Sequence, residues 1–152
     1  MSAKKLGKLE QLASKRAEQS RVQLAHETQA LRQIDSHHSE LRSINTEYQQ
    51  AMVGNDEVAP QLLAHRRAFV SQLTQKLDEL LAQKSLKQET VNQRAREHEQ
   101  RSAQHTAIDL IHKQRTRELE QLRLRREQQQ LDESASQLYY QNQALKDEYD
   151  HE

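Results

Sequence analysis

The chain has 152 residues, 34% hydrophobic and 3% aromatic, with two glycines, one proline and no cysteine or tryptophan, and its mean hydropathy is -1.12. Such a composition excludes a large globular core, a disulfide framework and a thiolate metal site. Lysine plus arginine number 23 and aspartate plus glutamate 23, so no net charge draws the whole chain to nucleic acid or to a membrane surface.

Ala, Leu, Gln, Glu, Lys and Arg are all good helix formers and fill the sequence, and scarce glycine and proline leave few places for a helix to end. The fold class expected is all-α: two long helices forming an antiparallel coiled-coil hairpin with a longer C-terminal arm, within one elongated domain over residues 1–152. The first predicted helix covers residues 1–53. It begins "MSAKKLGKLEQLASKRA", which is basic but lacks the apolar run of a signal peptide. No stretch approaches a membrane span, so a soluble intracellular chain without direct lipid insertion is expected. Leu6, Leu9, Ala13, Ala17, Leu24, Leu31, Ile34, Leu41, Ile44, Tyr48 and Met52 advance mostly in steps of three, four or seven, which is one face of a helix.

A turn is predicted over residues 54–59. Gly54 can take the left-handed conformation that ends a helix, Asn55 and Asp56 suit cap or turn positions, and Pro60 suits the first turn of a new helix. The second predicted helix covers residues 60–150, with an apolar stripe through Leu62, Phe69, Leu73, Leu80, Val91, Ala95, Ile108, Ile111, Leu119 and Leu122. A short turn makes the helices antiparallel neighbours. Folding back near Glu57 would place residue i opposite about 114 minus i, pairing Leu41 with Leu73, Ile34 with Leu80 and Leu6 with Ile108. Between Val91 and Ile108 the stripe offers mainly alanine, and there the seam is expected to be loosest. At a rise of about 1.5 Å per residue the arms would measure roughly 75 Å and roughly 135 Å, leaving the second unpartnered from about residue 112.

That overhang contains "LRLRREQQQLDESASQLYYQNQAL", with Leu124, Leu131, Leu138 and Leu145 at sevens. An apolar stripe without an internal partner asks for an external one. Residues 113–126 hold six basic side chains against two acidic ones, the first 21 residues do the same, and residues 132–152 reverse the sign with six acidic against one lysine. A hairpin gathers both basic segments at its open end. A DNA-reading zipper needs a continuous basic helix ahead of its leucines. Here the basic cluster overlaps Leu119 to Leu124, contains Glu118 and Glu120, and has no asparagine placed to read a base, so no nucleic-acid partner is expected. A parallel homodimer through the heptad leucines remains a second reading.

His98, His105 and His112 recur every seven residues, and His37 and His38 are adjacent. Ligands on one helix share a metal at i and i+4; a spacing of seven separates them by about 10 Å. No metal site is expected, and the histidines read as solvent-facing or register-setting. With so little to enclose a pocket and no Gly-rich phosphate loop, neither a catalytic residue nor a cofactor is expected.

The segments "LGKLEQLASKRAEQS", "LRSINTEYQQAMVG", "RAFVSQLTQKL" and "REQQQLDESASQ", in that order, together with the short first arm and the long basic-then-acidic second arm, resemble the FliJ family of flagellar type III export proteins. The resemblance covers nearly the whole chain. It implies a cytoplasmic, non-enzymatic component at the cytoplasmic face of the inner-membrane export apparatus, serving flagellum biogenesis and so motility and chemotaxis. It also implies a stalk-like coiled coil whose terminal halves enter the pore of a hexameric export ATPase and stimulate it. Its turn-proximal end would contact the cytoplasmic part of the membrane export gate, and the chain would escort export chaperones. Carried onto this sequence, gate contact falls to His37, Leu41, Ile44, Tyr48, Phe69, Leu73, Lys76 and Leu80. ATPase contact is expected at the basic positions Lys4, Lys5, Lys8, Arg115, Arg117, Arg123, Arg125 and Arg126. The chain departs from the family's common pattern in lacking tryptophan and in carrying Ile44 where a tyrosine is often found. The equivalent stalk of a virulence-type secretion system shares these features.

Overall fold

A computed structural model of the chain describes residues 2–53 and 59–149. Two α-helices make up the described structure: α1, Ala3–Val53, and α2, Pro60–Tyr149. The predicted turn at residues 54–59 lies outside the described residues except for Ala59.

Both helices start as their sequences require. Ser2 caps α1: its Oγ accepts from the Lys5 backbone N–H at 3.3 Å, and its carbonyl accepts from Leu6 N–H at 3.0 Å. A serine in this place satisfies one of the donors a helix start leaves unpaired. α2 begins with Pro60, whose missing N–H is no loss in a first turn, and the Ala59 carbonyl accepts from Leu63 N–H at 3.1 Å.

The helices pack against each other as an antiparallel pair, and the seam follows a heptad in both. On α1 the rows Ala3, Glu10, Ala17, Leu24, Leu31, His38, Asn45, Met52 and Leu6, Ala13, Ser20, Glu27, Ile34, Leu41 are buried or half-buried. On α2 the same is true of Leu63, Val70, Leu77, Lys84, Val91, His98, His105 and His112. A strict seven-residue repeat keeps one face of a helix turned to its partner. Among the described residues the buried apolar side chains are Leu73, Leu77 and Leu80, at 8%, 9% and 4% exposure. Burying one such leucine stabilises by roughly 1.5–3 kcal/mol.

The chain divides into two compact units, one of residues 13–104 and one joining residues 1–12 to residues 105–152. In the first, Tyr48 meets Phe69, Glu27 meets Lys87 and Ser20 meets His98; in the second, Glu10 meets His105 and Gly7 lies against His112. The numbers of these paired residues total 114 to 119, so Glu27 with Lys87 keeps the total of 114 expected from a fold at Glu57 and the other pairs total one to five more. Leu6, Ile34, Leu41 and Ile108 are half-buried, as a seam position requires, whereas every described residue of α2 from Lys113 to Glu148 is exposed.

Candidate functional site

Within the first unit, near the start of α2, the rings of Tyr48 and Phe69 pack across the seam with centroids 4.8 Å apart and planes tilted by 52°. Both stay partly open, at 41% and 38% exposure, beside Ile44 at 40%. Aromatic side chains that are packed on one side and open on the other concentrate binding energy when a partner covers them. The other sequence-derived gate positions divide. His37 is exposed and Leu41 half-buried. Lys76 is exposed and reaches Glu79 on its own helix at 3.5 Å. Leu73 and Leu80 are core side chains of the seam, so the surface available here is carried by Tyr48, Phe69, Ile44, His37 and Lys76.

Next to the aromatic pair, Glu47, Tyr48, Ala51 and Arg66 line a groove of about 320 Å³. Arg66 is half-buried, and its Nη1 has no hydrogen-bond partner, like Oδ1 of Asn45. Sequence reasoning overlooked Arg66. Its heptad place, seven residues before Leu73 and fourteen before Leu80, marks it as a charged side chain set in an apolar row.

The second unit holds the basic positions. Lys4, Lys5 and Lys8 are exposed on α1, and Arg115, Arg117, Arg123, Arg125 and Arg126 are exposed on α2. Arg115 pairs with Glu118 at 3.3 Å, and Arg123 pairs with Glu120 at 3.0 Å and Glu127 at 3.4 Å. Such i to i+3 and i to i+4 pairs are weak at a surface and are readily exchanged for a partner's carboxylates. Arg117, Arg125 and Arg126 make no ion pair among the described residues. Leu124, Leu131, Leu138 and Leu145 are 53%, 68%, 60% and 54% exposed. They do not continue the hairpin seam. The row that runs through His105 and His112 goes on to Leu119, Arg126, Glu133 and Tyr140, and the leucines stand five positions beyond it, about 140° round the helix. Whatever covers them approaches α2 from another side than α1 does.

Between the apolar seam and the overhang lies a polar stretch. Ser20, 2% exposed, donates its single hydroxyl hydrogen to the Ala17 carbonyl at 2.7 Å, so at 3.0 Å from His98 Nδ1 it must accept, and His98 carries a hydrogen on Nδ1. His105 donates from Nε2 to Glu10 Oε1 at 2.9 Å. Arg94 Nη1 donates to Gln23 Oε1 at 3.2 Å, and Lys87 Nζ to Glu27 Oε2 at 2.8 Å. The Lys87 hydrogen bond holds the Glu27 carboxyl below its usual range, and Lys84 does the same to Asp35. On the next turns, Lys113 lowers Asp109 in the same way.

The three heptad histidines thus face α1, as register-setting residues do. No group of three or more metal-ligating side chains capable of holding an ion exists among the described residues, and no described helix is long and apolar enough to cross a membrane. A family model described as "Flagellar FliJ protein" matches residues 1–144. No curated protein and no solved structure matches the chain.

Proposed function

The chain belongs to the FliJ family, whose members are components of the flagellar protein export apparatus, and from that premise we propose that it is the stalk-like, non-enzymatic regulator of the export ATPase. The exposed end of α2, with Lys4, Lys5 and Lys8 of the same unit, enters the ATPase ring, and the Tyr48–Phe69 surface docks on the cytoplasmic part of the export gate. The chain works at the cytoplasmic face of the inner membrane and escorts export chaperones.

The observation that carries this reading is the stretch of α2 from Lys113 to Glu148, helical and exposed throughout. Its leucines have no partner on α1, and Arg117, Arg125 and Arg126 have no ion pair among the described residues. The apolar stripe begins at Leu124 among unpaired positive charge, which suits a channel lined at that level with apolar and acidic side chains; from Asp132 onward the charge of the arm is negative. A ring closing around such a helix gains contacts from every subunit at once, which biases the subunits toward the assembled state without any catalytic group in the helix.

The experiment is a titration of the chain into the purified export ATPase of the same organism, following ATP hydrolysis and hexamer assembly together. Saturable stimulation near one chain per six ATPase subunits is expected. Reversing charge at Arg123, Arg125 and Arg126 should weaken stimulation while leaving gate binding intact; equal loss of both would overturn the division of labour. A concentration-dependent dimer with no effect on the ATPase would favour the homodimeric scaffold.

A further inference from the structure

We infer that the exposed end of α2 is self-complementary: two copies of the chain pair antiparallel through the leucine stripe, the basic stretch of one lying along the acidic stretch of the other. The inference goes beyond the ATPase reading and names a resting partner for the surface which that reading leaves open.

The apolar part of this surface is a single row. Leu124, Leu131, Leu138 and Leu145 are 53%, 68%, 60% and 54% exposed, and a repeat of seven keeps such a row turned toward a second helix that winds around the first. From Leu124 to Leu145 it extends about 32 Å. The positions that would complete the seam, Gln121, Gln128, Ala135 and Asn142, are exposed and polar or small. Leucine burial is therefore confined to one row, and the pair opens readily.

Charge selects the occupant, because this chain carries both halves of the complement. Residues 113–126 hold six basic side chains against two acidic ones, and residues 132–148 hold four acidic side chains against Lys146. Arg117, Arg125 and Arg126 at one end, and Asp132, Glu133, Asp147 and Glu148 at the other, are exposed and make no ion pair among the described residues. Each end thus presents charge that its own helix does not neutralise, and the two signs match one another.

Orientation follows from the same charges. In a parallel pair every residue lies level with its own copy, so Arg125 and Arg126 would meet a second basic cluster, and Asp147 and Glu148 a second acidic one. Like charges so placed repel. Arg117 carries the argument into the row itself: counted back by sevens from Leu124, it stands in the leucine column. A parallel pair would set it against a second Arg117 in the seam, whereas reversing one copy carries it toward Asp147 and Glu148. An antiparallel pair uses the same patch on both copies and closes at a dimer. Exposed ion pairs are individually weak and screened by salt, so they choose direction more than they add affinity. A paired chain offers no free leucine row to the export ATPase, a consequence that rests on the ATPase reading.

The chain has no cysteine, so dyes can be placed singly. Full-length chains carrying Thr116→Cys or Ala144→Cys, both at exposed positions, are labelled with donor or acceptor, mixed, and followed by energy transfer and sedimentation across the micromolar range. Transfer between a Thr116→Cys chain and an Ala144→Cys chain should rise with concentration and exceed transfer between two Thr116→Cys chains, whose dyes lie at opposite ends of an antiparallel pair. Leu131→Ala should weaken association about tenfold or more. The combined change Arg117→Glu, Arg125→Glu and Arg126→Glu should weaken it about tenfold at unchanged helicity. Stronger transfer between two Thr116→Cys chains shows a parallel zipper and overturns the inference. A single chain at every concentration, or association that the leucine and arginine changes leave unaltered, overturns it too. Export ATPase hexamer added in excess should abolish the transfer. Transfer that persists while ATP hydrolysis is stimulated overturns the competition for the leucine row. Absence of any stimulation overturns the ATPase reading, and the labelled pair then stands without it.

Discussion

Two stretches of one seam, built on the same seven-residue repeat, are held by different forces. Around Leu73, Leu77 and Leu80 the contact is apolar and closed. From Lys87 to His105 it is made of hydrogen bonds between side chains, Glu27 with Lys87, Gln23 with Arg94, Ser20 with His98 and Glu10 with His105. Burial of leucine is strong but indifferent to partner, whereas the polar pairs are weak in net terms yet directional, and slipping of the helices would leave the buried Ser20 hydroxyl without His98. The apolar stretch supplies adhesion, and the polar stretch supplies register.

The sharpest way to break the contrast is Leu80→Ala. Its side chain is 4% exposed, and truncation should cost about 2–4 kcal/mol in a urea or thermal unfolding experiment. A cost no larger than that of an exposed leucine would mean that the seam is held mainly by its polar pairs.

Ser20→Ala comes next. It removes the acceptor for His98 Nδ1–H in a place where Ser20 is 2% exposed, and a buried donor left unpaired costs about 1–3 kcal/mol. If Ser20→Ala is neutral while His98→Leu destabilises, packing and not hydrogen bonding matters at this level of the seam.

Gly7→Ala should act in the opposite direction and by less. An added Cβ would lie 3.4 Å from His112 Nε2, an ordinary contact, and replacing glycine by alanine within a helix gains roughly 0.5–1 kcal/mol. The melting temperature should rise; a fall would show that His112 needs the closer approach a glycine permits.

The apolar stretch was legible in the sequence by residue type and spacing together, the polar stretch by spacing alone. Leu41, Leu73, Ile34 and Leu80 announce a seam by type and spacing together, and a chain with so few helix breakers has one natural place to fold back. The heptad of His98, His105 and His112 was equally visible and left two readings, solvent-facing or register-setting, which residue type alone does not separate. What places them inside is their column: counted back by sevens, it runs through Val91, Lys84, Leu77, Val70 and Leu63. Between Val91 and Ile108 the few apolar positions are mainly alanine, which suggested looseness, because pairwise hydrogen bonds such as Ser20 with His98 leave no trace in hydropathy. Tyr48 and Phe69 stood out through the rarity of aromatics; Arg66 did not, since a surface arginine and a seam arginine look alike until the opposite helix is present.

Leu131→Ala should have the smallest effect on stability and separates both seam stretches from the overhang. Leu131 is 68% exposed and every described neighbour on α2 from Lys113 onward is exposed too. Its truncation should therefore change the unfolding free energy by no more than about 0.5 kcal/mol. The same substitution should reduce stimulation of the export ATPase, because the stripe it interrupts has no partner on α1 and stands about 140° from the hairpin row. A stability loss that grows with protein concentration would instead show that a second copy covers Leu131. Unchanged stability with unchanged stimulation would move the ATPase contact from the leucines to the arginines between Arg115 and Arg126. The leucine stripe is thus the place where stability and function come apart: the substitution that costs the fold least tests its partner most directly.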